Sequence, residues 1–235
     1  MQSLRAILFT SVLVGLIVGP AISAVQLAGT TPLILKAEVY ETAGEQAAPA
    51  HSHDAGAAAH DHGHDEEAWA PEDGFERNAY TMAANTLTAI GYALVLTGLM
   101  ALSGRPATWR SGLIWGIAGF ACVMLAPTLG LPPELPGTPA GPLADRQLWW
   151  LATVIATGAG LGLIAFNGKP LAAILCVVLI ATPHLTGAPL ASEGESALAP
   201  EALRHQFVVA AVVTSFVFWM LLGSLSGAVL RRFED

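Results

Sequence analysis

The apolar segments of this chain constrain its fold more than any other feature. Six of them occupy residues 6–27, 80–102, 112–129, 148–166, 171–183 and 207–230. A helix needs about 20 residues to cross the hydrocarbon core of a bilayer, and the third and fifth segments are the shortest. Charged residues make up 12% of the chain, about half the share of a soluble domain. The sequence therefore predicts an all-α integral membrane protein, a bundle of about six transmembrane helices.

The first segment has two interpretations. Arg5, the apolar run and the small residues at 21–24 are also typical of a cleaved secretory signal, and cleavage would leave five spans. However, the apolar character continues to Leu35, and Gly15 and Gly19 form a GxxxG pair that suits helix packing. We therefore expect a retained first transmembrane helix in residues 1–35, an outer loop at 36–79 and a five-helix bundle at 80–235.

The basic residues predict the orientation, because Lys and Arg concentrate in cytoplasmic loops. One set of segment ends carries six of them: Arg5, Arg105, Arg110, Lys169, Arg231 and Arg232. The opposite set carries the other four basic residues and every acid except Glu234 and Asp235. We expect a multi-pass protein of the bacterial inner membrane, with both termini cytoplasmic and the long first loop in the periplasm.

The long first loop is rich in histidine and acids. Its histidines form two clusters with alternating spacing: His51, His53, His60, His62 and His64. Imidazole binds zinc, copper, nickel and cobalt, and neighbouring carboxylates add charge and oxygen ligands. Alternating histidines without helical or strand periodicity favour capture and release of an ion over a rigid site. We expect a loop that is disordered without a ligand and binds a divalent metal; a solvated linker is the alternative.

Two turns at the outer face carry the other candidate ligands. The proline-rich residues 126–137 include Glu134, and Pro183 precedes His184 at the end of the fifth segment, where we expect the proline to break the helix. Transporters place ion sites at broken helices. A loose repeat between residues 127–132 and 183–189 indicates that the two turns pack together and bring Glu134 near His184. An interfacial histidine that binds nothing is the alternative for His184.

The remaining polar residues near the segments have simpler interpretations. Cys122 and Cys176 fall inside predicted spans and are interpreted as buried small hydrophobes, with a soft metal ligand as the alternative. Asp145 and Arg146 are expected to form a surface pair or a helix start. Interfacial positions without a metal role are expected for Trp149, Trp150 and His205.

The sequence also excludes several classes of protein. The net charge of −8 disfavours binding to nucleic acid, which attracts basic surfaces. No P-loop, HExxH or Gly-x-Ser-x-Gly motif occurs in the chain. We therefore expect a protein that is not an enzyme and that does not hydrolyse ATP itself.

Three motifs resemble the CbtA family of predicted cobalt transporter subunits. They are Gly-Leu-Pro-Pro-Glu-Leu-Pro-Gly at 130–137, Asp-Arg-Gln followed by Trp-Trp at 145–150, and Pro-His followed by Gly-Ala-Pro at 183–189. The resemblance covers most of the chain. It implies an inner-membrane protein of about five spans for cobalt uptake, linked to cobalamin supply. It also implies a partner, a small single-span CbtB-type subunit with its own histidine motif.

The leading hypothesis is a permease subunit for a divalent transition metal. Cobalt is favoured as the transported ion, with nickel or zinc as alternatives. The loop histidines would capture the ion, and Glu134 and His184 would pass it towards a path between helices. The rival hypotheses are a metal sensor or accessory protein that does not conduct, and a membrane scaffold whose loop binds metal incidentally.

Overall fold

Every regular element that the computed structural model describes is a helix, and the described residues are 2–47, 71–192 and 196–233. In chain order the elements are α1 (Gln2–Ala28), α2 (Thr31–Ala47), α3 (Phe75–Leu102), α4 (Trp109–Phe120), a π-helical turn (Ala121–Leu125), α5 (Ala126–Thr128), α6 (Leu143–Phe166), α7 (Pro170–Thr186) and α8 (Glu201–Arg231).

Five helical stretches in the described part of the chain are long and apolar enough to cross a membrane. They are Leu4–Ala28, Phe75–Leu102, Trp109–Thr128, Leu143–Phe166 and Glu201–Arg231. The third stretch joins α4, the π-helical turn and α5, which explains why its apolar segment looked short. The predicted all-α membrane fold is confirmed.

The fifth predicted span corresponds to α7, which is shorter than the others. Its 17 residues rise about 26 Å at 1.5 Å per residue. It lies antiparallel to α6, since Gly160 of α6 packs against Cys176 near the middle of α7, and Trp149 near the start of α6 contacts Pro183 near the end of α7. That α7 crosses the membrane as a sixth span stays a prediction.

Helices α1 and α3 pack antiparallel along most of their length. The glycines of the GxxxG pair lie against α3, Gly15 at Ile90 and Gly19 at Thr86. Hydroxyl and amide groups join the same two helices further along. The Ser11 and Thr97 hydroxyls lie 3.0 Å apart, and Asn85 donates to Ser23 at 2.9 Å. Helix α1 therefore packs into the core of the bundle, and its retention in the mature protein stays a prediction.

Helices α4 and α8 make the closest backbone contact. Thr108 and Ser111 form a capping box that begins α4. Four glycines then bring the two backbones together: Gly112 and Gly116 on α4, and Gly223 and Gly227 on α8. We call these four residues the glycine seam. Interfaces of small residues allow membrane helices to approach closely enough for extensive van der Waals contact.

The segments that connect the helices lie at two opposite ends of the bundle. At the cap end, α2, residues 129–142 and residues 196–200 meet the start of α8 around the buried side chains of Ala37, Leu135, Ala199 and Phe207. At the termini end, Phe9 stacks edge-on against Phe233 with ring centroids 5.5 Å apart, and Arg105 donates to the Ala165 carbonyl at 2.7 Å. The six basic residues assigned to the inner side all belong to the termini end.

The interpretation of residues 36–79 as a loop without helical structure is wrong at both of its ends. Residues 36–47 belong to α2 and residues 75–79 to α3. The first apolar segment also does not continue as one helix to Leu35, because the chain turns at Gly29 and Thr30. The Glu38 carboxylate and the Arg77 guanidinium form an ion pair between α2 and α3. The packing of α2 comes from Leu33, Ile34 and Ala37, which share one face of the helix and belong to the buried cluster at the cap end.

The proline at 183 does not break α7 where the sequence predicted. The helix continues through Pro183 to Thr186 and ends at Gly187, whose φ of 84° favours glycine. The Pro183 carbonyl accepts from the Thr186 hydroxyl at 2.8 Å and from the Trp149 indole at 2.9 Å. These two donors replace helical partners that the last turn lacks.

Candidate functional site

The proline-rich turn holds Glu134 through an ion pair with Arg146. The pairing joins the turn to the first turns of α6, and both side chains are about one quarter exposed, at 28% and 24%. Asp145 lies in the first turn of α6, where an acid interacts favourably with the helix dipole. The predicted helix start is therefore correct for Asp145, whereas Arg146 is paired with Glu134.

His184 lies in the last turn of α7 against Trp149 of α6. Their ring centroids are 5.6 Å apart in an edge-on arrangement. The Nε2 atom of His184 is buried and has no hydrogen-bond partner among the described residues. A buried polar atom without a partner is costly, and an imidazole nitrogen in this state is suited to bind a metal ion or a water.

One face of α6 holds both predicted ligands. Arg146 and Trp149 are three residues apart and therefore lie on the same side of the helix, where one pairs with Glu134 and the other contacts His184. The two turns also pack on each other, because a Cβ added to Gly130 would lie 3.0 Å from the Ala188 Cβ. The loose repeat in the sequence predicted this contact between the turns.

A cavity of about 510 Å³ opens at the cap end beside Glu134. We call it the cap cavity. Its wall includes Glu134, Glu201, Arg204 and His205 together with residues 131–133 and 189–192. His184 is not part of this wall. The structure therefore places Glu134 with a second carboxylate and a different histidine from the one that the sequence analysis paired with it.

No preformed metal site of three ligands exists within residues 2–47, 71–192 and 196–233, counting His, Cys, Asp and Glu. Cys176 is buried and Cys122 half-buried, and both are free thiols. Cys122 lies near Gly158, and Cys176 packs against Gly160. The five loop histidines, His51, His53, His60, His62 and His64, lie outside the described residues.

Sequence reasoning missed the partners that position the two candidate ligands. It interpreted Arg146 as part of a surface pair or a helix start and Trp149 as interfacial, but Arg146 pairs with Glu134 of the proline-rich turn and Trp149 donates to the Pro183 carbonyl of α7. Two signals in the sequence point to them. An acid in a proline-rich turn needs a nearby cation when it is partly buried, and an indole N–H that is buried needs an acceptor. His205 was also interpreted as interfacial, and it lines the cap cavity.

The helices and the cap end together define a multi-pass α-helical membrane protein with ionisable groups gathered at one end of its bundle. The family model of CbtA, described as a probable cobalt transporter subunit, matches residues 4–231. The chain therefore belongs to the CbtA family. No curated protein and no solved structure matches it. Membership of this family supports cobalt as the transported ion and implies that the chain works with other subunits.

Proposed function

We propose that the chain is a permease subunit that moves a divalent metal ion, cobalt in the first place, across the bacterial inner membrane. Both termini would be cytoplasmic, the histidine loop would be periplasmic, and the cap end would face the same side as the loop. The small single-span CbtB-type subunit is the expected partner. A gradient or another subunit supplies the energy, because the sequence has no P-loop.

The observation that carries this proposal is the free Nε2 atom of His184 at the cap end. The loop histidines would capture the ion and release it to this nitrogen and to Glu134, both held by α6. The Arg146 guanidinium already neutralises Glu134, so an arriving cation would compete with that guanidinium for the carboxylate. Such competition keeps the affinity moderate, and conduction requires sites that release the ion as well as bind it.

A second observation, the lack of a group of three metal ligands among the described residues, weighs against the rival hypothesis of a sensor that does not conduct. A sensor needs a preorganised site with high affinity, which for a transition metal means three or more protein ligands in fixed geometry. The described residues contain no such group. Single ligands arranged in sequence are better suited to passing an ion onward.

We expect proteoliposomes that contain the chain and its single-span partner to accumulate cobalt above the level of empty liposomes. Uptake of radiolabelled cobalt, measured beside nickel and zinc, tests both the activity and the selectivity. Equal accumulation in loaded and empty liposomes would rule out the permease and favour the sensor.

Changing the five loop histidines to asparagine is expected to raise the cobalt concentration for half-maximal uptake about tenfold, because captured ions raise the local concentration at the entrance. The maximal rate should change little, since the path between the helices is intact. A matched control changes Asp54, Asp61 and Asp65 to asparagine and keeps the imidazoles. Unchanged uptake by the histidine variant at limiting cobalt would show that the loop does not capture the ion.

A further inference from the structure

A second cavity, of about 470 Å³, lies between α1, α2, α3 and α8. We call it the chamber. More than half of the residues that line it have polar side chains, among them Ser23, Gln26, Asn85, Thr214 and Ser215, although most of the surface of the wall is apolar. All of these residues belong to helices that are apolar enough to cross the membrane. Because polar groups at this depth are costly unless water or a partner meets them, the chamber is suited to hold water.

The wall of the chamber offers neutral oxygen atoms. Asn85 uses its amide nitrogen to donate to Ser23 at 2.9 Å and to Gln26 at 2.7 Å, which leaves its amide oxygen as an acceptor. Among the described residues, no carboxylate or histidine lines the chamber. Hydroxyl and amide oxygens accept hydrogen bonds from the water shell of a cation, and they bind it weakly enough to let it leave.

Arg77 is the charged residue of the chamber wall in the described part of the chain, and it lies towards the cap end. It pairs with both Glu38 and Asp73, the latter at 3.0 Å. The two carboxylates do not line the chamber, but they offset the charge of the guanidinium. The entrance therefore does not repel a cation as an unpaired arginine would.

The chamber is closed towards the termini end by aromatic rings. Tyr92 lies with its ring centroid 5.0 Å from Trp219 and 6.0 Å from Phe218. Trp219 is 4% exposed. Beyond these rings, Thr10 and Ser226 are fully buried, and their hydroxyls have no hydrogen-bond partner in the described part of the chain. Polar groups therefore continue past the aromatic barrier along α1 and α8.

We propose that the chamber holds a divalent cation with its water shell inside the membrane, and that Tyr92, Phe218 and Trp219 form the barrier between this resting place and the termini end. This inference rests on the proposed transport function and adds to it a route for the ion through the membrane. Six waters at about 30 Å³ each need roughly 180 Å³, so a hydrated ion fits the chamber. The aromatic rings close the chamber towards the termini end, and an opening towards the cap end would make this arrangement one state of an alternating-access carrier.

The test uses single cysteines in the full chain with Cys122 and Cys176 changed to alanine. Ser215→Cys places a thiol in the chamber, and Val213→Cys places one on the same helix at a residue that is 55% exposed and does not line the chamber. A charged, membrane-impermeant methanethiosulfonate is the probe. We expect it to modify the chamber cysteine at least about ten times faster, because these reagents react with the thiolate that forms in water. Modification should then abolish cobalt uptake for Ser215→Cys alone.

The possible outcomes separate the chamber from the proposed function. Equal labelling of the two cysteines would overturn a water-filled chamber. Rapid labelling of Ser215→Cys with unchanged cobalt uptake would overturn the route through it. A wild-type chain that takes up no cobalt in the presence of its single-span partner would instead overturn the proposed function, and the chamber would then have no ion to hold. If Ser215→Cys does not fold, Thr88→Cys in the chamber wall and Leu87→Cys beside it repeat the comparison on α3.

Discussion

Gly223→Val is expected to prevent α4 and α8 from packing, and this is the largest effect on stability that we predict. A Cβ at this position would overlap the Gly112 carbonyl oxygen and would lie 2.7 Å from the Gly116 Cα. These are backbone atoms that cannot rotate away, so the helices themselves must separate. Overpacking of flexible side chains costs about 1–3 kcal/mol, and the loss here should exceed the upper end of that range.

The measurement is the midpoint of thermal aggregation of the purified chain in detergent, followed by size-exclusion chromatography. Gly91→Val is the matched control, because a Cβ at Gly91 meets nothing within 4 Å. The control should melt close to the wild type, while Gly223→Val should yield little monodisperse protein. An unchanged midpoint for Gly223→Val would show that the glycine seam does not set the distance between the helices.

His184→Ala is expected to lower the initial rate of cobalt uptake by about 10- to 100-fold, the range found when a residue that supports a metal site is removed. The substitution removes the buried Nε2 atom that has no partner among the described residues. It also removes an edge-on contact with Trp149, which is worth about 1 kcal/mol. The protein should therefore fold and lose transport rather than stability.

Two controls test whether the loss of uptake comes from the imidazole itself or from the contacts around it. Leu185→Ala changes the next residue, which is 85% exposed, and should leave uptake unchanged. His184→Gln keeps a polar side chain of similar length but lacks the imidazole, and it should behave as His184→Ala. Uptake at the wild-type rate in His184→Ala, with the melting temperature preserved, would contradict a role for this residue in the path of the ion.

The positions of the long helices could be predicted from the sequence because the bilayer demands a fixed length of apolar chain. The same reasoning placed the six apolar segments within six residues of the ends of α1, α3, the α4–α5 stretch, α6, α7 and α8, and it did not predict α2. The contact between the two outer turns was also predictable, since residues 127–132 and residues 183–189 both contain a proline, a glycine and a second proline in that order. Local composition predicts the structure of a segment where one physical requirement, such as the apolar length of a membrane span, dominates its sequence.

The details of the cap end could not be predicted in the same way. Helix α2 packs through a short apolar face, and its partners, Arg77 and residues 135–137 and 198–199, are distant in sequence. The Glu134–Arg146 pair spans a turn whose path is set by several prolines. The chamber was missed because its polar residues are dispersed over four helices and only meet once those helices pack. Such sites depend on tertiary contacts, which periodicity does not encode.

The short length of α7 has a consequence for the surrounding lipid. A helix that rises about 26 Å is several ångströms shorter than a hydrocarbon core of about 30 Å, and a bilayer responds to such a mismatch by thinning around the protein. His184 lies in the last turn of this helix. If α7 crosses the membrane, the lipid surface dips beside it. An ion that leaves His184 then starts below the surrounding headgroups and has a thinner barrier left to cross.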